Sequence, residues 1–209
     1  MTFVLMKSVI QLSCYSVIIL FVVACTNNSA VIQGSLPNDN YRDEWVYWAP
    51  MEGASSKTVD SVRINHDSFR LVLSAQNHNK LGIVRVRPVL RLALQEVVVF
   101  TEPGIIEVKL DSVSSASGTP LNEALQIWKN RKHQFDRETS ILRKKLRTAE
   151  TSEADVIRTE IEKVAADYYH DIFQMVLKNQ NNEIGRFLLL RYKTFFTAEQ
   201  ISTIESLIK

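Results

Sequence analysis

The sequence predicts an α+β protein: an antiparallel β-sandwich or small barrel followed by a helical hairpin and two short helices. Three observations predict it. From Ala30 to Leu110 the chain is rich in Val, Ile, Leu and aromatic residues, interrupted by turn residues roughly every 7–12 positions. From Leu121 to Ala149 the seam positions recur at alternating steps of four and three, which is a heptad pattern. Near the end, Thr197-Ala198-Glu199-Gln200 reads as a capping box ahead of another apolar run. The composition is globular, with 45% hydrophobic and 23% charged residues. Six Gly and five Pro in 209 residues exclude a collagenous or largely disordered chain. A net charge of +2 is too even for a protein that binds polyanions along its whole length, so no nucleic-acid partner is expected.

Residues 1–24 read as an address. They hold no acid and one base, Lys7, followed by a mostly apolar run from Val9 to Val23. That run is shorter than the ~20 residues a helix needs to span a bilayer comfortably. It ends in Val22-Val23-Ala24-Cys25. This order resembles the lipobox of bacterial lipoproteins, in which the bond before the Cys is cut and the Cys is acylated. The resemblance implies cleavage between Ala24 and Cys25, lipid attachment at Cys25, and residues 25–30 as a lipidated tether. Each buried lipid methylene contributes ~0.8 kcal/mol, so two or three acyl chains hold a protein firmly to a membrane. By analogy with lipoprotein sorting, Thr26 in place of Asp implies the outer membrane. The lack of an acidic cluster beyond it implies the periplasmic side.

Residues 31–116 are expected to form the β domain. The candidate strands are Val31–Leu36, Glu44–Ala49, Thr58–Ile64, Ser68–Ser74, Leu81–Arg87, Val89–Phe100 and Ile105–Leu110. In one of them Phe69, Leu71 and Leu73 share a face opposite Ser68, Arg70 and Val72. In another, Arg85 and Arg87 alternate with Val84 and Val86. Asn65-His66-Asp67 makes a turn. Glu102-Pro103-Gly104 makes a stronger one, with Pro presetting φ and Gly accepting a positive φ. Pro88 marks a bulge or strand break. Trp45 and Tyr47 point one way and Trp48 the other. A stacking platform for a sugar or peptide would use such residues, but aromatic residues favour strands regardless of ligand. We therefore read one face as core and the other as a sheet-edge aromatic surface.

Residues 117–209 read as helical. Thr119 is a good N-cap and Pro120 fits the first helical position. The seam Leu121, Leu125, Trp128, Lys132, Phe135, Thr139, Leu142, Leu146 and Ala149 predicts one long helix. After a break at Thr151-Ser152, Ile157, Ile161, Val164, Tyr168, Ile172 and Met175 predict a second. Residues 120–149 carry eight bases against three acids, and residues 150–179 carry seven acids against three bases. A basic helix followed closely by an acidic one predicts an antiparallel hairpin with attracting flanks. Asn182 is expected to cap a third helix. The capping box opens a fourth, burying Ile201, Ile204, Leu207 and Ile208.

Motifs for catalysis are sparse. There is no G-x-S-x-G, H-E-x-x-H, P-loop or G-x-G-x-x-G. Cys14 and Cys25 both precede the body of the chain, which excludes a disulfide framework, a cysteine zinc site or a C-x-x-C pair there. Asp167, His170 and Asp171 share a helical face and could touch a metal, but no second ligand-bearing segment accompanies them. Asp60-Ser61 and Asp67-Ser68 lack a positioned His base and read as turn residues. The expectation is a protein with no catalytic residue, no cofactor and no metal.

Several segments together carry a family resemblance. They are Val31-Ile32-Gln33-Gly34-Ser35, Val59-Asp60-Ser61-Val62 and Ser68-Phe69-Arg70-Leu71. Val99-Phe100-Thr101-Glu102-Pro103-Gly104-Ile105-Ile106-Glu107-Val108 and Ser117-Gly118-Thr119-Pro120-Leu121-Asn122-Glu123-Ala124-Leu125 extend it, and Phe196-Thr197-Ala198-Glu199-Gln200 closes it. With the lipobox, this order resembles the N-terminal domain of unknown function of Bacteroidetes thioredoxin-like lipoproteins, the thiol:disulfide interchange proteins. The resemblance implies a thioredoxin-like domain with a C-x-x-C following. The sequence reaches Lys209 without a cysteine pair, so no redox residue carries over. Two expectations result. The first is a membrane-tethered, non-catalytic binding or scaffold module whose ligand the sequence does not name. The second is a split or truncated redox component with a thioredoxin-like protein as partner.

Overall fold

A computed structural model describes residues 29–86, 94 and 96–207. The predicted signal peptide, Ala24, Cys25, Arg87, Pro88, most of the Val89–Leu94 run and Ile208 lie outside these. Eight strands come first: β1 (Ala30–Ser35), β2 (Trp45–Pro50), β3 (Asp60–Arg63), β4 (Ser68–Val72), β5 (Leu81–Val86), β6 (Val97–Phe100), β7 (Gly104–Lys109) and β8 (Ser115–Ser117). Four α-helices follow: α1 (Pro120–Leu146), α2 (Thr151–Lys178), α3 (Glu183–Tyr192) and α4 (Ala198–Leu207).

The strands form two open four-stranded sheets, ordered β4-β1-β7-β8 and β3-β2-β5-β6. The α+β class holds, as a sandwich and not a closed barrel. Among the described residues one pairing departs from the antiparallel expectation. β1 and β7 run parallel, with Ala30 opposite Gly104 and Ser35 opposite Lys109. The cause is the Glu102-Pro103-Gly104 turn, which carries the chain from one sheet to the other. Gly104 takes φ +122, and its N–H donates to the Ser29 carbonyl at 3.1 Å. β8 was not foreseen because Ser-Ala-Ser has no alternation to read. The helix α1 ends at Leu146, so Ala149 falls in the connection.

One core fills the space between the sheets, built from Ile32, Val46, Trp48, Leu71, Val84, Val99, Ile106 and their neighbours. Two glycines make room for its aromatic rings. A Cβ on Gly34 would sit 2.0 Å from Phe69 Cζ, directly across the β1–β4 pair, and one on Gly82 would sit 2.3 Å from Trp48 Cε2. Trp48 is fully buried, and Trp45 is half-buried on the opposite face with Arg63 stacked 5.3 Å from its ring centroid. The core half of the prediction for this strand holds, but its aromatic face is not at a sheet edge, because β2 lies between β3 and β5. Burying a tryptophan contributes on the order of 5 kcal/mol.

A second core joins Leu125, Trp128, Tyr168, Ile172, Val176, Ile184 and Leu188 to the outer side of the second sheet through Leu81 and Val98. The capping predictions hold at two sites. Asn182 Oδ1 accepts the Ile184 and Gly185 N–H groups. In the capping box Thr197 Oγ1 accepts the Gln200 N–H and Gln200 Oε1 the Thr197 N–H. In the last helix Ile204 is buried, but Leu207 is 45% exposed because it lies at the frayed end.

The cap at Thr119 is a correction. Its hydroxyl accepts from the Asn122 side chain at 2.8 Å and takes no helix N–H. Glu102, from the turn between the sheets, replaces it: Glu102 Oε1 accepts the N–H groups of Leu121 (2.7 Å) and Asn122 (3.3 Å). Asn122, fully buried, accepts the Phe100 N–H at 2.9 Å and donates to the Phe100 carbonyl at 2.7 Å. The first turn of α1 is thus bonded to the end of β6.

Two stability outcomes are expected in urea unfolding. Asn122→Ala removes the side-chain partner of the Phe100 N–H and one of two donors to its carbonyl, which keeps the Glu102 N–H at 3.1 Å, and should cost about 1–3 kcal/mol. Gly82→Ala forces a methyl against the Trp48 ring and should cost about 1–3 kcal/mol.

Candidate functional site

The first sheet turns one face to the core and one to solvent. Strand alternation sends Ile32, Leu71, Ile106 and Val108 inward. It sends Gln33, Ser35, Arg70, Glu107 and Lys109 outward. Register then lines up two polar rows. Arg70, Gln33, Glu107 and Ser117 form one, and Ser68, Ser35, Lys109 and Ser115 form the other. With Arg63 and Asn65 at the rim, they line a shallow groove of about 580 Å³. The groove presents three cationic side chains, one carboxylate and four serine hydroxyls, a set whose chemistry would suit a polar group that is anionic or rich in hydroxyls. Its lining includes no His or Cys.

Sequence reading placed Arg70 on the face opposite Phe69 and Leu71, and the structure agrees. It missed the groove itself, because Glu107 and Lys109 reach Gln33 and Ser35 only through the parallel β1–β7 pair. The alternation Ile106-Glu107-Val108-Lys109 was the available signal.

A smaller cleft of about 260 Å³ lies between β6 and α1. Lys129 Nζ donates to the Val98 carbonyl at 3.4 Å, with Glu96, His133 and Asp136 around it. Burial pulls the Lys129 amine down to about 8. Deeper in the helical core, Trp128 Nε1 donates to the Tyr192 hydroxyl at 3.1 Å, and the Tyr192 and Tyr168 hydroxyls lie 2.7 Å apart. Burial, and then Tyr192, push the Tyr168 phenol well above its ordinary range, so it stays neutral. Phe135 stacks on Tyr168 with centroids 4.2 Å apart.

The remaining sequence candidates fall into structural roles. Asp171 bonds Arg131 across the hairpin at 2.6 Å, while Asp167 and His170 are exposed. Among the described residues no group of three or more His, Cys, Asp or Glu is placed to hold a metal. Asp60 accepts from the Ser74 backbone at 2.9 Å, from the Ser74 hydroxyl, and from Asn77 Nδ2 at 2.8 Å. Asp67 closes the loop before β4, its carbonyl accepting the Leu36 N–H at 2.7 Å.

Lys129 gives a pH prediction. Its amine loses its proton near pH 8 when folded and near 10.5 when unfolded, so the unfolded chain holds the extra proton between those values. The Lys129 contribution to stability is therefore unfavourable below pH 8 and is relieved as pH rises towards 10.5. Lys129→Met should stabilise the protein by roughly 1–2 kcal/mol at pH 7, after discounting for solvent screening, and the gain should shrink in alkali. Paired melts of the two proteins across pH 7–10.5 check this.

No curated protein and no solved structure matches the chain. Residues 30–125 match the family described as a domain of unknown function, DUF4369. That segment holds the whole sandwich, the polar groove, the Glu102 cap and the first turn of α1. The match to this domain of unknown function is confined to residues 30–125, somewhat under half of the 209-residue chain.

Proposed function

We propose that this protein is a lipid-anchored lipoprotein of the bacterial cell envelope that acts as a non-catalytic binding and scaffold module. It is held through Cys25 on the periplasmic side of the outer membrane. The observation that carries the reading is the short distance between anchor and binding scaffold. β1 opens at Ala30, five residues after Cys25, and its sheet bears the polar groove. An extended tether of that length reaches only about 17 Å. The end of the sandwich bearing Ser29, Gly104 and Glu102 therefore sits close to the bilayer.

The rest of the molecule points away from that end. α1 starts at Glu102 and runs beside β8, where Gln126 Oε1 accepts the Ala116 N–H at 2.9 Å. It reaches Val113 and Ser114 near Lys129 and His133. Its last 13 residues, from Gln134 to Leu146, continue past the sandwich for about 20 Å. Among the described residues no helix is long and apolar enough to cross a membrane. A split thiol:disulfide system, with a thioredoxin-like partner supplied in trans, is the alternative. The motif resemblance over Val99–Val108 and Ser117–Leu125 supports it.

Metabolic labelling with a radioactive fatty acid tests the anchor. Label should follow the chain to the membrane fraction and vanish in Cys25→Ser, which should become extractable without detergent. Unchanged labelling and fractionation of that variant would overturn the reading.

A further inference from the structure

The cleft of about 260 Å³ sits where three elements meet. β6 is an edge strand of one sheet and β8 an edge strand of the other, and α1 packs against both. Gln126, Lys129, His133 and Asp136 recur at steps of three and four, so they share one face of α1. Two of them are bonded to the strands. Gln126 Oε1 accepts the Ala116 N–H of β8 at 2.9 Å, and Lys129 Nζ donates to the Val98 carbonyl of β6 at 3.4 Å. Val98, Val113 and Trp128 give the cleft apolar walls. The half-buried Lys129 thus sets its amine in a recess beside apolar carbon.

What this amine lacks is a counter-ion. The other ionisable groups lining the cleft are Glu96, just before β6, and Lys132, His133 and Asp136 on α1. Both carboxylates are already taken. Glu96 pairs with Arg85 at 3.5 Å, and Asp136 pairs with Lys132 at 2.5 Å. Among the described residues no carboxylate pairs with Lys129, and its hydrogen bond to Val98 is long. An amine desolvated in this way is favoured in its neutral form, with a free lone pair. At about 8, roughly a quarter of it is neutral at pH 7.5, against about a thousandth for an ordinary lysine. His133, exposed and one helical turn along, adds an imidazole, the side chain suited to proton transfer near neutral pH.

We propose that Lys129 captures small aldehydes, its Nζ condensing with the carbonyl carbon to form an imine inside this cleft. The Nζ lone pair attacks the carbonyl carbon, and the carbonyl π pair moves to oxygen. One amine proton passes to that oxygen, with the His133 imidazole as carrier, giving a carbinolamine. The C–O bond then breaks, the second amine proton leaves with the hydroxyl as water, and the nitrogen pair closes the C=N bond. One aldehyde and one amine give one imine and one water, and nothing is oxidised or reduced. The step needs no leaving group and no co-reactant, which favours an aldehyde over an acyl donor. The volume restricts the ligand to a small one, since drug-sized ligands occupy ~300–1,000 Å³. The walls of Val98, Val113 and Trp128 favour a short alkyl group on the carbonyl. This capture is stoichiometric, and it depends neither on Cys25 nor on the polar groove.

The test uses the full chain in a mild non-ionic detergent at about pH 7.5. Limiting butyraldehyde is the probe, and cyanoborohydride traps the imine as a stable secondary amine. Peptide mass spectrometry then compares Lys129 with Lys144, an exposed lysine on the same helix. Lys129 should label at least about tenfold faster, less than the excess of free amine because a weaker base is a poorer nucleophile. Two variants at Val113, which lines the cleft and is 59% exposed, probe the missing counter-ion. Val113→Glu should hold the amine in its charged form and cut Lys129 labelling about tenfold. Val113→Gln, of the same size but uncharged, should label as wild type does. Labelling of Lys129 no faster than that of Lys144, or equal labelling in the two variants, would overturn the proposal.

Discussion

The molecule depends on a polar junction where β6 leaves the sandwich. Six polar residues are buried among the described ones, and four of them, Asn77, Thr101, Thr119 and Asn122, meet there. The Thr101 hydroxyl donates to the Asn77 carbonyl and accepts the Lys80 N–H. Asn77 Nδ2 reaches Asp60 and the Thr58 carbonyl. Asn122 holds both backbone groups of Phe100, and Glu102 caps α1. Among the described residues Asn77 Oδ1 is buried without a partner, while the bonded groups of the network each fix the position of the next. The network ties β3, the loop before β5, the end of β6 and the start of α1 into one unit. Hydrophobic packing alone would let the helices slide over Leu81 and Val98; these bonds set where they dock.

That junction gives the molecule its polarity. The first strand and the helical hairpin both begin at the same end of the sandwich, so under the proposed tether the hairpin would point outward. The groove and the hairpin are therefore separate surfaces of the molecule. The groove is polar, broad and shallow, suited to hydrogen bonds more than to apolar burial. The hairpin's outer face instead carries isolated apolar side chains, Ile127, Ile141 and Val156, among charges of both signs.

The ion pairs show how little of a charge pattern turns into direct contacts. Residues 120–149 and 150–179 carry opposite net charge, yet the cross-hairpin ion pair among the described residues is Arg131–Asp171. Lys132–Asp136 and Arg158–Asp155 lie within single helices. The hairpin is held by its seam, from Leu125 and Trp128 to Leu142 and Ile157, and the charges decorate its flanks. Exposed pairs contribute only ~0–1 kcal/mol each, so they select partners more than they stabilise the fold.

Much of this was legible in the residues themselves. Alternation located the β1, β2, β4, β5 and β7 strands, because side chains on a half-buried strand repeat every second position. Steps of four and three located both long helices, and short side chains with local bonding partners located the caps at Asn182 and Thr197. Contacts between residues distant in sequence were not legible. Glu102 caps a helix that starts eighteen residues later, and β7 joins β1 in parallel some seventy residues away. Each of those pairings is selected by the shape of the whole sandwich and leaves no periodic trace in the chain. So the sequence by itself determined which segments are strand and helix and which faces are apolar. Only the tertiary structure decided how Gln33, Arg70, Glu107 and Lys109 come together in one groove, and where the helices dock on the second sheet.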